Sequence, residues 1–162
     1  MNQTTIFDFL YSEYKINKPI RLIEFFAGYG SQALALKYLG VKFEHWKICE
    51  WATKSIQAYK DIHFTDDNKD YSNNLTSDEI KEYLFNKGIS SNYNDPMNKE
   101  QINRLSEDKL RTIYNNIKAT HNLVNIQQVK GVDLDIKDTD KFTYLLTHFL
   151  AKTYHWLVKV KV

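Results

Sequence analysis

Pro19-Ile20-Arg21-Leu22-Ile23-Glu24-Phe25-Phe26-Ala27-Gly28-Tyr29-Gly30-Ser31 is the stretch that decides the fold. Its first eight residues are a β-rich run, and the five that close it supply the glycines a tight strand-to-helix turn needs. Residues 32–39 then follow a helical pattern, with Gly40 placed as a C-terminal stop. Residues 41–49 alternate as a second strand and 51–59 read as a second helix. Strand, glycine turn, helix, strand and helix within about forty residues begin a parallel α/β sheet.

The whole chain fits that reading. Its 162 residues suit one domain with enough length to bury a core. An apolar fraction of 43% with 14% aromatics argues against intrinsic disorder. Lys+Arg exceed Asp+Glu by 22 to 20, so binding to nucleic acid must come from a local patch and not from bulk charge. A lone cysteine, Cys49, excludes an internal disulfide and any multi-cysteine zinc site. No apolar run has the length of a membrane span, and residues 1–18 lack the pattern of a signal peptide. The expectation is a cytoplasmic chain with no membrane partner.

Past residue 65 the composition changes. Residues 66–122 are polar, hold eleven asparagines and are interrupted by Gly88 and Pro96. Helices are expected at 76–86, capped by Thr76 or Ser77, and at 106–119. This zone reads as a solvated helical insertion. Leu84, Phe85, Leu105, Leu110 and Ile113 should line a small apolar seam, with Tyr93, Asn94 and Lys99 in water. An apolar pattern returns at 123–129, read as a third strand, and at 142–147, read as a fourth.

The turn Phe26-Ala27-Gly28-Tyr29-Gly30-Ser31 gains weight from Glu50. An acid at the C-terminal end of the second strand, about twenty residues beyond a glycine turn, is placed to accept from both ribose hydroxyls of a nucleoside. Trp51 follows it and has a face to stack on a purine. The competing reading makes Glu50 a cap of the second helix and Trp51 a core residue. Cys49 reads as a buried strand residue, since nothing beside it activates a thiol.

These residues resemble the start of the DNA (cytosine-5) methyltransferases of bacteria and phages. The resemblance implies a Rossmann-like sheet in which the turn, here Phe26, Ala27, Gly28, Tyr29, Gly30 and Ser31, cradles S-adenosylmethionine. By the same resemblance Glu50 binds the cofactor ribose and Trp51 packs on its adenine. The family's adenine-contacting Asp-Ile is matched by Asn125-Ile126, with Asp133 as a rival alignment. It covers residues 19–60 and 123–147, leaving 66–122 as the insertion.

The family's chemistry also requires a thiolate in a Pro-Cys dipeptide just after the fourth strand, and a Glu-Asn-Val motif beyond it. Neither is here: the two prolines are Pro19 and Pro96, and no Glu-Asn-Val occurs. From Thr147, however, the last base of each codon joined to the first two of the next can spell Ser-Phe-Pro-Cys-Gln-Asp-Leu-Ser-Leu-Ala-Gly-Lys-Gly-Lys-Gly. That string resembles the family's catalytic loop and falls where the loop belongs. The expectation is therefore a truncated α/β methyltransferase domain spanning 1–162, with 148–162 as an out-of-frame tail, residual cofactor binding and no catalytic residue. DNA would be the partner of the parent enzyme and at best a weak one here. His148 and His155 in the tail have no nearby carboxylate or thiol, so no metal is expected. The alternative class is a non-catalytic phage or mobile-element protein that binds and inhibits, or decoys, a host nuclease.

Overall fold

The computed structural model describes residues 18–136 and 143–148, the last six by their backbone; the expectations for 149–162 lie outside the described residues. Strand β1 (Ile20–Phe25) runs through the centre of a parallel sheet, with β2 (Phe43–Cys49) on one side and β3 (Thr143–His148) on the other. Burial on both faces explains why β1 reads as a nearly continuous apolar run, since central parallel strands have no solvent face. Phe25 lies level with Cys49 and with His148, so all three strands end at one edge of the sheet.

Helix α1 (Ser31–Tyr38) leaves the glycine turn and α2 (Thr53–His63) leaves the end of β2. Both match the expected order, with α2 ending four residues later than the sequence pattern suggested. The chain steps from β1 to β2 on one side, while β3 joins on the other. The carboxyl edge beside β1 is therefore the point where strand order reverses, the usual ligand crevice of open α/β sheets.

Three helices follow: α3 (Ser77–Lys87), α4 (Lys99–Asn103) and α5 (Glu107–Ala119). Thr76 caps α3 in a full capping box with Glu79, and the Ser106 side chain caps α5. Helix α4 was not expected from the pattern; five residues is too short to show periodicity, but Asn98 and Gln101 cap it reciprocally. Arg111 on α5 fastens the 72–75 loop by donating to the Ser72 and Leu75 carbonyls at 2.8 and 3.1 Å.

The expected small seam is instead the main core of the described residues. Ile80, Leu84, Ile89, Ile102, Leu110, Ile113 and Ile117 pack with Ile56 of α2 and Val124, with Leu105 at the margin. Phe85 departs from expectation, remaining exposed with the Lys99 ammonium 5.0 Å from its ring centre. It sits one position past Leu84, which turns it off the buried stripe of α3. Tyr93, Asn94 and Lys99 are exposed, as expected. Backbone pairing bolts these helices to the sheet edge: Thr53 N–H donates to Ser90 O at 2.9 Å, and Ser90 N–H to Trp51 O at 2.8 Å.

A third strand over 123–129 does not form. Only a single parallel bridge joins Asn122 to Ile48, with Leu123 N–H donating to Ile48 O at 2.8 Å. Val124 then takes φ +70, outside any extended conformation, and residues Ile126–Gln128 curl into a 3-10 turn. The apolar pattern there reports burial of Val124 against the helical core, not alternation along a strand.

Candidate functional site

The turn is built on left-handed backbone. Gly28 has φ +54 and Gly30 φ +80, with Phe26 also left-handed at φ +54. At Gly28 no heavy atom lies within 4 Å of a constructed Cβ, so this glycine faces open space. At Gly30 a Cβ would fall 2.2 Å from His63 Nε2 and 2.7 Å from the Tyr59 ring. The two glycines thus serve different ends, open access at Gly28 and close packing at Gly30. Phe26 and Tyr29 hold their rings out at 56% and 61% exposure, forming an aromatic rim on the turn. Ala27 is buried, and its carbonyl accepts the Gly30 N–H at 2.8 Å. The exposed Ser31 hydroxyl turns to Gln32 Oε1 and does not cap α1.

Glu50 ties the turn to β2. One carboxylate oxygen accepts from Gly28 N–H at 2.9 Å and the other from Ala52 N–H at 2.8 Å. The capping reading is met, since Glu50 holds the N–H of Ala52 just before α2; the same carboxylate also grips the glycine turn. Each oxygen keeps a further lone pair for a hydroxyl donor. Trp51 is half-buried against the helical core, so packing accounts for part of it.

Asn122 fixes Glu50 from the other side. Its Oδ1 accepts from Glu50 N–H at 3.1 Å and Val124 N–H at 2.8 Å, while its Nδ2 donates to Glu50 O at 2.9 Å. A buried carboxamide stands in for a neighbouring strand, which is why an actual third strand is dispensable here. Asn125, by contrast, uses its Oδ1 to accept from Gln127 N–H at 3.0 Å, starting the 3-10 turn that contains Ile126. Asp133 lies in a second 3-10 turn, accepting from Lys130 N–H at 2.7 Å. Cys49 is buried, its Sγ 3.2 Å from Val124 O, and burial with the neighbouring Glu50 charge pushes its thiol up to about 12. A thiol so placed is inert.

Beneath the turn lies a polar chain. Glu24, fully buried on β1, accepts from Ala33 N–H of α1 at 3.2 Å and from the Tyr59 hydroxyl of α2 at 2.5 Å. Tyr59 has one proton and gives it to Glu24, so His45 Nδ1, 2.8 Å away, must donate to the Tyr59 oxygen. Burial raises the Glu24 carboxyl above the usual carboxylate range. Burial, reinforced by the neighbouring His63, lowers His45 to about 4.

The signs oppose each other. For His45 the unfolded chain binds the extra proton between pH 6.5 and 4, so stability is lost as pH falls through that window. For Glu24 the folded chain binds the extra proton, so its contribution grows as pH falls through its raised value. His45 should remove roughly 2 kcal/mol across its window, allowing for solvent at the ring. His45→Asn keeps a donor toward Tyr59 but gains no proton. Urea unfolding from pH 7 to 4 should therefore give a flatter acid limb in this variant; equal slopes would remove His45 as the source.

Glu24, Asn122 and His63 were missed in the sequence. Glu24 had a signal, an acid inside an otherwise apolar buried strand. His63 had a fainter one, four residues after Tyr59 on one helix face. Asn122 had none, being one asparagine among many.

These contacts bring the turn and Glu50 together at the carboxyl edge, an arrangement that suits a nucleoside-bearing cofactor. Two curated methyltransferases match the chain. It is 32% identical over 129 residues to the orphan methyltransferase M.SssI of Spiroplasma monobiae, across 78% of this chain and 33% of that protein. It is 34% identical over 128 residues to the type II methyltransferase M2.ScrFI of Lactococcus lactis subsp. cremoris, across 77% of this chain and 34% of that one. The chain spans about a third of the length of the curated relatives it matches. No family model matches it. The chain is methyltransferase-like over most of its length. Among the described residues no helix is long and apolar enough to cross a membrane.

Proposed function

We propose that this chain is the S-adenosylmethionine-binding part of a DNA (cytosine-5) methyltransferase and transfers no methyl group by itself. The observation that carries the reading is the Glu50 carboxylate, only 8% exposed, joining the glycine turn to β2 at the switch point of a parallel sheet. The residues fit the cofactor. Glu50 offers acceptor lone pairs to ribose hydroxyls, Gly28 leaves the backbone open, and Phe26 and Tyr29 supply apolar surface at the rim. Trp51 and the Asn125-Ile126 segment are the proposed adenine side, with the uncharged Asn125 carboxamide an acceptor for the amino group. When bound, S-adenosylmethionine supplies an electrophilic methyl group. The part of this chain is to hold and orient it.

The reading frame belongs to the proposal. β3 pairs with β1 so that His148 lies level with Phe25, and in the sequence the string that the alternative frame can spell begins at Thr147. The catalytic-loop-like string that the other frame can spell from Thr147 supports the reading of a cofactor-binding fragment with DNA as the substrate of the intact parent.

Calorimetry with S-adenosylhomocysteine tests the site. Measurable binding is expected, weakened in Glu50→Ala by about 1.5–3 kcal/mol, the scale of hydrogen bonds to a charged group. Equal affinity in the variant would remove Glu50 from the ribose role. Sequencing the gene beyond the codon for Val162 tests the frame.

A further inference from the structure

We propose that His63 is a positioning residue for the glycine turn, holding from α2 the backbone that receives the cofactor; this rests on the cofactor reading above. The turn contains two left-handed glycines, Gly28 and Gly30, and would be loose without external anchors. Glu50 grips its Gly28 N–H, and Glu24 grips Ala33 N–H just beyond it. His63 grips a carbonyl. Its Nε2 lies 3.0 Å from Tyr29 O, and since a carbonyl has no proton, Nε2 carries the N–H that donates.

The same ring fills the space beside Gly30, where a Cβ would lie 2.2 Å from Nε2 and 2.9 Å from Cδ2. Its placement is fixed in turn. The His63 ring centre lies 4.5 Å from that of Tyr59 and 4.9 Å from that of His45, and Tyr59 is held by Glu24. Helix α2 therefore begins beside Glu50, which holds Gly28 N–H, and ends at His63, which holds Tyr29 O. Tyr59 is fully buried, and His63 meets the turn at Tyr29 O and beside Gly30. Their action is through the backbone of Tyr29 and Gly30.

The test uses the full chain and reads two quantities. One is hydrogen exchange of the Gly28, Tyr29 and Gly30 amides without ligand; the other is affinity for S-adenosylhomocysteine. His63→Leu keeps bulk and loses the donor, and His63→Asn stays polar but falls short of Tyr29 O. Both should speed exchange at the turn and weaken binding about five-fold, the scale of one neutral hydrogen bond. His63→Gln, whose amide nitrogen reaches the Nε2 position, should restore both to within about two-fold of the parent. Amides of α3 and α5 should exchange as before, which separates positioning from general loss of stability.

Unchanged turn exchange in both donor-loss variants would overturn the proposal. So would a His63→Gln chain as impaired as His63→Leu. If the parent chain fails to bind S-adenosylhomocysteine, the cofactor reading fails. Exchange at the turn then still decides whether His63 holds it.

Discussion

Incubated with tritium-labelled S-adenosylmethionine and mixed-sequence DNA, this chain is expected to leave the DNA at background. The proposed parent reaction needs a thiolate to add to C6 of a flipped cytosine, which makes C5 nucleophilic toward the methyl group. The sequence holds one thiol, Cys49. It lies within β2, is 2% exposed and is pushed up to about 12 by burial. It is neither ionised at neutral pH nor open to a base. Cofactor binding at the proposed edge would not compensate, because binding without transition-state chemistry gives no rate. Near-neutral net charge, +2, gives little phosphate affinity to bring DNA to the edge. Cys49→Ala should therefore match the parent chain. Label incorporation that disappears in Cys49→Ala would defeat the fragment reading. Moving the frame by one base after Thr147, with the downstream coding region attached, should raise transfer from background by many orders of magnitude. A restored, folded and cofactor-bound product that stays inert would count against the frame inference.

What the sequence disclosed here was local and what it hid was tertiary. The run from Ile20 to Cys49 was legible because a buried strand, a left-handed turn and a short helix each leave a compositional trace within a few residues. Thr76 was legible as a cap for the same reason. The segment at 123–129 reads as a strand but is none, because Val124 is apolar for burial between elements while Asn122 does the pairing a strand would do. No pattern along the chain distinguishes those cases. Its richness in asparagine makes the helical zone read as peripheral. Yet its apolar residues, spaced by helical turns, build the main described core against α2. Composition averages over both faces of a helix and conceals the buried one. Its position marks Glu50 as a candidate in the sequence, but its double hold on Gly28 and Ala52 depends on where β2 ends relative to the turn, which only the fold supplies.

Gly30→Ala is expected to cost the chain about 3 kcal/mol of stability, combining left-handed backbone strain with overpacking. The backbone term comes from φ +80, a conformation in which a Cβ meets the following carbonyl. The packing term depends on which neighbour yields. His63 Nε2, 2.2 Å from the new methyl, is the far end of a half-buried side chain and can swing away at the loss of its bond to Tyr29 O. The Tyr59 ring, 2.7 Å away, cannot follow: it is fully buried, and its hydroxyl is bonded to both Glu24 and His45. The methyl must then push the turn, drawing Gly28 N–H from Glu50 and Ala33 N–H from Glu24. Loss of the Glu24 contact leaves a buried carboxylate short of a donor, which adds to the cost. Gly28→Ala provides the contrast. It carries similar backbone strain at φ +54 but meets no atom within 4 Å, so about 1 kcal/mol is expected. Urea unfolding of the two variants should separate them by about 2 kcal/mol. Equal losses would mean that strain alone accounts for Gly30 and that Tyr59 does not brace the turn.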